Sequence, residues 1–286
     1  MILPRRILEE RLTKFLKEDI GQGDVTSAVI VPHGCTAQAK VVAKAKGVAA
    51  GIEEATVLLQ SLGLHVDARV ADGDEIKQDQ VLMNLGGDAA TILTAERTML
   101  NLLSRMCGIA TATRNLTEKI KKAHLKTRIA ATRKSAPGLL YFDKKAVVVG
   151  GGDAHRLHLD DLILIKDNHI VVAGSMEDAL RLAKANASFS KKIEIEVAKP
   201  EDMLKAAELD ADIVMLDNFS PDQIKSAVAL LTKAGLAGKV LLEASGEITS
   251  ENLLDYASAG VDLISLGALT HSVKALDISL EIVSAK

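Results

Sequence analysis

The chain has 286 residues, 48% of them hydrophobic, which is ample for a packed core in one or two domains. Its 35 Lys and Arg against 38 Asp and Glu leave a net charge of -3, which excludes a broad nucleic-acid surface but not a small cationic pocket. Aromatic residues make up 2% and Trp is absent, so a stacking platform for single-stranded nucleic acid is excluded as well.

Two distant cysteines, Cys35 and Cys107, make neither a disulfide framework nor a CxxC metal pair. They point to a reducing cytoplasm. The N-terminus "MILPRRILEERLTKFLKEDIG" mixes charge through its apolar residues and lacks the apolar core of a signal peptide. No apolar run approaches the roughly 20 residues that span a bilayer. The sequence therefore predicts a soluble cytoplasmic protein without a nucleic-acid or membrane partner.

Ile7 to Lys17 has the spacing of an amphipathic helix, which "GQGDVTS" (21–27) breaks. "TAQAKVVAKAKGVAAG" (36–51) alternates as a half-exposed strand does, and "IEEATVLLQSLG" (52–63) reads as a helix with a glycine stop. "HVDARVADGDEIKQDQVLMNLGG" (65–87) has strand character around turn residues; it is similar to the hairpins of biotin-carrier domains but carries no lysine between methionines. A long helical region follows over 88–124, in which Gly108 marks a break or a close helix contact. The domain boundary falls there. Residues 1–110 form one α/β unit with an antiparallel sheet, and 111–271 form another.

Beyond residue 127 short apolar runs alternate with helical stretches, the pattern of parallel β/α units. The runs are continuous rather than alternating, so the strands are covered on both faces. Nearly every run ends in polar residues, as in Thr132–Arg133–Lys134, Lys166–Asp167–Asn168, Glu194 and Glu196, Asp217–Asn218, Glu243 and Ser245, and Ser265–Gly267. A β/α barrel collects its site from all its strand ends, whereas an open dinucleotide-type sheet uses one switch point. The sequence thus predicts a barrel of about six strands, short of the usual eight.

The cations come in three groups: Arg133 and Lys134 in "ATRKSAPG", His155 and Arg156 in "GGGDAHR", and Lys166 in "LIKDNH". Each alone reads as a surface charge. Converging on one barrel mouth, they predict an anionic ligand with several charges. "GGG" (150–152) is a turn or a ligand contact, and it is neither a Walker loop nor GxGxxG. Ser245 and Gly246 before a helix, and Gly267 after a strand, are better placed for phosphate. Glu194 and Glu196 lie two apart and face one side; with Asp217 they either pair with the cations or serve ribose and Mg²⁺. A zinc site of His155, His158 and His169 is disfavoured by Arg156 and Lys166 beside it. Arg97 in "AERTMLN" reads as a solvent-facing helix charge.

Taken in order, "EDIGQGDVTS", "AERTMLNLLSRMCGIAT", "ATRKSAPGLL", "GGGDAHRLHLDDLILIKDNHI", "EIEV", "DIVMLDN", "LEASGEI" and "ISLGALTHS" span nearly the whole chain. This series resembles the quinolinate phosphoribosyltransferase family, the decarboxylating nicotinate-nucleotide pyrophosphorylases. The resemblance implies an N-terminal α/β sandwich and an incomplete α/β barrel, with a tail over 272–286 returning to the first domain. It implies that quinolinate and 5-phosphoribosyl 1-pyrophosphate react with Mg²⁺ to nicotinate mononucleotide, pyrophosphate and CO₂, in NAD biosynthesis. Arg133, His155, Arg156 and Lys166 would surround the quinolinate carboxylates. Arg97 would reach in from the partner of a homodimer, which replaces its solvent-facing reading. Lys134 would meet pyrophosphate. Glu196 and Asp217 would serve the ribose hydroxyls and magnesium, directly or indirectly. Ser245, Gly246, Gly267 and His271 would cradle the 5′-phosphate.

The chain departs from the family pattern at Leu140, Ser135, Cys107 and Glu247, the last placing an acid beside the expected phosphate loop. Two competitors are a phosphoribosyltransferase-like protein of the molybdenum-transport-associated kind and a non-catalytic binder of an anionic metabolite. The full cation set disfavours the first, and the acids among the cations disfavour the second.

Overall fold

A computed structural model describes residues 3–286. It divides into two compact units. The first comprises residues up to Arg114 with Lys145–Gly151 and Ser272–Lys286; the second comprises Asn115–Lys144 and Gly152–His271.

The first unit opens with α1 (Arg5–Ile20), which buries Leu8, Leu12 and Leu16 at every fourth position and stops at Gly21. A short helix α2 (Val25–Ile30) follows directly, where the sequence gives only a break. Its cause is Asp24, whose carboxylate accepts the Ser27 N–H (3.0 Å) and hydroxyl (2.6 Å) as an N-cap. Next come β1 (Thr36–Ala43), β2 (Gly47–Val48), α3 (Ile52–Ser61), β3 (His65–Ala68), β4 (Glu75–Ile76) and β5 (Val81–Asp88). The continuous strand expected over 36–51 is therefore two.

Helix α4 (Ala89–Lys122) runs on without a break at Gly108. That glycine is a close contact: a Cβ there would stand 2.2 Å from the Lys274 carbonyl oxygen. Cys107 beside it is buried, and its thiol exchanges 3.3 Å contacts with the N–H and carbonyl of Ala50. Burial pushes that thiol up to about 12, so the departure at 107 supplies packing rather than a reactive sulfur.

The second unit holds β6 (Arg128–Ala131), α5 (Leu140–Val149), β7 (Ile163–Ile165), α6 (Asp167–Ala173), α7 (Met176–Asn186), β8 (Ile193–Val197) and α8 (Pro200–Glu208). It continues with β9 (Ile213–Asp217), α9 (Pro221–Lys233), β10 (Leu241–Ser245), α10 (Leu253–Ser258), β11 (Leu263–Leu266) and α11 (Ala268–His271). The last strand, β12 (Ile278–Ala285), belongs to the first unit, where it pairs antiparallel with β1 in a four-stranded sheet ordered β12-β1-β5-β3.

The six strands of the second unit are all parallel and ordered β6-β11-β10-β9-β8-β7. Cyclically this is chain order, interrupted between β6 and β7: an incomplete barrel. Asp153 lies along β6 at the gap, its N–H donating to Ile129 O (2.7 Å) and its carbonyl accepting from Ala131 N–H (3.0 Å). Continuous burial along β9 and β11 shows that both strand faces are covered. The end of α5 groups with the first unit, where a simple two-block division would not place it. The reason is Lys145, whose ammonium lies 2.5 Å from Glu53, 2.7 Å from Glu54 and 3.5 Å from Asp72.

Candidate active site

The C-terminal strand ends of the second unit enclose a cavity of about 610 Å³. Past β6, the loop carrying Arg133 and Lys134 is tied down on several sides. Lys134 N–H donates to Thr132 Oγ1 (3.2 Å), Thr270 Oγ1 donates to the Lys134 carbonyl (2.7 Å), and the Ser135 hydroxyl donates to the buried Asp143 carboxylate. Serine thus suffices at 135 to anchor the loop.

The segment at the barrel gap carries His155 and Arg156. Asp153 anchors it twice, accepting the His155 N–H (2.8 Å) and pairing with Arg128 (3.1 Å). His155 takes a left-handed φ of 51°, which a residue with a Cβ adopts only when its surroundings impose it. "GGG" forms the turn at the end of α5 and does not line the cavity. Burial and the neighbouring Arg133 charge press the Arg156 guanidinium below its ordinary pKa. Two guanidinium groups facing one cavity in this way favour an anionic guest.

Lys166, following β7, pairs closely with Glu196 of β8. Asp217 ends β9 and accepts from the Asn218 amide (2.8 Å); burial and then the Glu196 charge raise it above the usual carboxylate range. Ser245 ends β10, and Gly246 follows with φ 134°. A Cβ on Gly246 would stand 2.5 Å from Asn218 Oδ1, so only glycine fits.

Nine of the twelve residues to which the resemblance gives a role therefore line one cavity: Arg133, Lys134, His155, Arg156 and Lys166, with Glu196, Asp217, Ser245 and Gly246. Gly267 and His271 do not line it but stand beside Lys134: a Cβ on Gly267 would lie 3.1 Å from Lys134 Cδ and 3.0 Å from the His271 ring. Arg97 belongs to the first unit, on α4, with a side chain 65% exposed and 4.0 Å from Glu96. Glu247 lines the cavity too, so the departure there puts an acid at its rim.

The histidines do not gather. His169 Nδ1 accepts the Lys166 N–H (3.0 Å) at the start of α6, and the His158 N–H is held by Asp161 (3.1 Å). His155 instead meets two fully buried acids, Glu243 at 3.0 Å and Glu194 at 3.4 Å. Burial and the Glu243 charge raise Glu194 to about 7. Glu194 and Glu196 do face one side of β8, Glu194 deeper than Glu196. Fully buried Lys144 on α5 donates to the carbonyls of Ala154 and Ala131, the latter at 3.5 Å. Burial drops it to about 8. By these bonds it clamps the segment bearing His155 to the end of β6. Lys144 and the support role of Glu243 were missed in the sequence. The available signal was an acid or lysine inside an otherwise apolar run.

Quinolinate phosphoribosyl transferase family models match residues 24–107 for the N-terminal domain and 109–281 for the C-terminal domain. The chain belongs to this family. It is similar to the "probable nicotinate-nucleotide pyrophosphorylase (carboxylating)" of Methanothermobacter thermautotrophicus, 43% identical over 95% of this chain and 97% of the relative. It is 40% identical to the nicotinate-nucleotide pyrophosphorylase (carboxylating) of Mycobacterium leprae, over 96% of each chain. Among solved structures, the nicotinate-nucleotide pyrophosphorylase from Francisella tularensis superposes with a TM-score of 0.89 at 35% identity, over 98% of each chain. A quinolinate phosphoribosyltransferase fold of an antiparallel sheet and an incomplete parallel barrel is therefore the architecture of this chain.

Proposed function

We infer that this protein transfers the phosphoribosyl group of 5-phosphoribosyl 1-pyrophosphate to quinolinate with loss of CO₂, making nicotinate mononucleotide for NAD biosynthesis. The observation that carries this reading is the meeting of Arg133, His155, Arg156 and Lys166 with Glu196 and Asp217 in one cavity. Quinolinate is a dianion and its co-substrate is more negative still, so fixed cations are needed to bring them together. The acids then have a separate task, because mere anion binding does not require them.

In this reading Arg133, Arg156, His155 and Lys166 bind and orient the pyridine dicarboxylate. Lys134 stabilises the departing pyrophosphate, which takes the bonding pair of its C–O bond. Positive charge developing on the ribose carbon is met by Glu196 and Asp217. The pyridine nitrogen bonds to that carbon and becomes a pyridinium. The ring then accepts the electron pair released when the 2-carboxylate leaves as CO₂, and a proton is taken up at the same ring carbon. Alignment of the two reactants contributes about 7–11 kcal/mol of barrier lowering.

Ser245, Gly246, Gly267 and His271 are assigned to the 5′-phosphate. The donor set also suits Mg²⁺: Glu196 and Asp217 offer hard carboxylate oxygens at neighbouring strand ends. Those two residues would hold the ion, which would supply charge neutralisation for the phosphates. A homodimer is proposed in which exposed Arg97 completes the neighbouring site. Among the described residues no helix is long and apolar enough to cross a membrane; a cytoplasmic location is part of the proposal.

The test is incubation of the protein with quinolinate, 5-phosphoribosyl 1-pyrophosphate and Mg²⁺. Nicotinate mononucleotide is the expected product. Turnover of nicotinate or another base with quinolinate untouched would overturn the reading.

A further inference from the structure

In the wall of the cavity stands a buried carboxylate that the transfer chemistry does not consume. Glu243, on β10, is fully buried yet lines the cavity. One of its oxygens lies 3.0 Å from His155 Nε2, and the other has no hydrogen-bond partner. Glu194 approaches the same nitrogen at 3.4 Å but makes no hydrogen bond with either oxygen. A neutral ring with a lone pair on Nε2 would set that lone pair against the Glu243 carboxylate oxygen 3.0 Å away. Nε2 must therefore carry the proton and donate to Glu243.

The charge on the other nitrogen follows from what faces the ring. Glu243 of β10 and Glu194 of β8 are acids; Lys144 of α5 is the opposing cation. Burial works against a charged ring, but the hydrogen bond and charge of Glu243, with the charge of Glu194, outweigh it and raise the imidazole pKa. The left-handed backbone of His155 and its bond to Asp153 show that the chain is bent to bring the ring here.

We propose that Glu243 is a positioning residue, which through its hydrogen bond to Nε2 holds His155 as an oriented imidazolium facing a carboxylate of the pyridine substrate. The proposal rests on reading the cavity as a quinolinate site. It gives that site a pH dependence. The imidazolium is present at low pH and is lost as pH rises through its raised pKa, so quinolinate affinity falls on the alkaline side. Removing the Glu243 charge leaves one acid against one cation, and the fall moves to lower pH.

The test follows the ring and the ligand separately. Histidine ring nitrogens are labelled with ¹⁵N and titrated by NMR in the wild-type protein, Glu243→Gln and Glu243→Asp, with His155→Gln assigning the signal. Quinolinate and 5-phosphoribosyl 1-pyrophosphate affinities are measured by calorimetry over the same pH range. The expected result is a wild-type His155 that keeps its proton above the ordinary pH of about 6.5. Glu243→Gln should titrate lower and bind quinolinate about tenfold more weakly at pH values between its own titration point and that of the wild type, with pyrophosphate-substrate affinity unchanged. Glu243→Asp should recover part of both. An unmoved titration and affinity in Glu243→Gln, or a wild-type ring that titrates at or below about 6.5, overturns the proposal. Should Glu243→Gln fail to fold, the wild-type titration still decides. Absence of quinolinate binding by the wild type would instead overturn the substrate assignment, while the ring titration would still report on Glu243.

Discussion

Arg133 and Arg156 define what the cavity accepts, because neighbouring guanidinium groups in one pocket are relieved only by an anion. Replacing Arg133 with Ala should weaken quinolinate binding by about 2 kcal/mol, roughly thirtyfold, the scale of a hydrogen bond to a charged group. Calorimetry with quinolinate checks this. Glu194 shows the opposite balance, a buried acid whose oxygens have no hydrogen-bond partner. Folding raises its pKa to about 7. Between its unfolded value of about 4.3 and that value the folded chain binds more protons, so stability falls as pH rises, and the full penalty stands above pH 7. Glu194→Gln should therefore stabilise the protein by roughly 1–3 kcal/mol at pH 8 and much less at pH 4, read by denaturant unfolding at both pH values. The cations of the site were legible because each follows an apolar run. Glu243 and Lys144 were harder to read. Glu243 looks like one more polar strand end, and the adjacent lysines 144 and 145 look like a solvated helix face although both are buried.

At the scale of elements, the site depends on strand ends and the turns after them. Gly246 combines φ 134° with the Asn218 side chain 2.5 Å from where a Cβ would be. Gly246→Ala should displace Asn218 and with it the hydrogen bond that orients Asp217. The expected result is a fall in turnover of about tenfold or more together with a lowered melting temperature, since any Cβ is strained at that φ, measured by steady-state kinetics beside thermal unfolding. Gly108→Ala in α4 is the structural counterpart: the 2.2 Å approach to Lys274 O predicts a loss of about 1–3 kcal/mol, read by denaturant unfolding. Periodicity revealed α1 and α4 but not α2, whose six residues depend on one Asp24 cap rather than on an apolar stripe. Strand β7 is only Ile163–Ile165, and its apolar run "LILI" was legible where its short length was not. The parallel register and the position of the gap at Asp153 come from long-range pairing, which no local pattern encodes.

For the whole molecule, the β/α alternation beyond residue 127 made the barrel legible, whereas nothing local in the sequence pairs β12 with β1. Arg97 is 65% exposed and comes within 4.0 Å of Glu96 in its own unit. If it serves a neighbouring site, Arg97→Ala and Arg133→Ala chains, each impaired at sub-saturating quinolinate, should regain activity when mixed under conditions of subunit exchange. Heterodimers with one intact site would account for the recovery, and none despite proven exchange would count against a shared site.

The reaction itself is tested most directly with quinolinate labelled with ¹³C at the 2-carboxyl group, supplied with 5-phosphoribosyl 1-pyrophosphate and Mg²⁺. Labelled CO₂, pyrophosphate and nicotinate mononucleotide should appear in equal amounts, and none of them when either substrate is omitted. Retention of the label in a mononucleotide product, or pyrophosphate release without nicotinate mononucleotide, would contradict the transfer with decarboxylation assigned to this cavity.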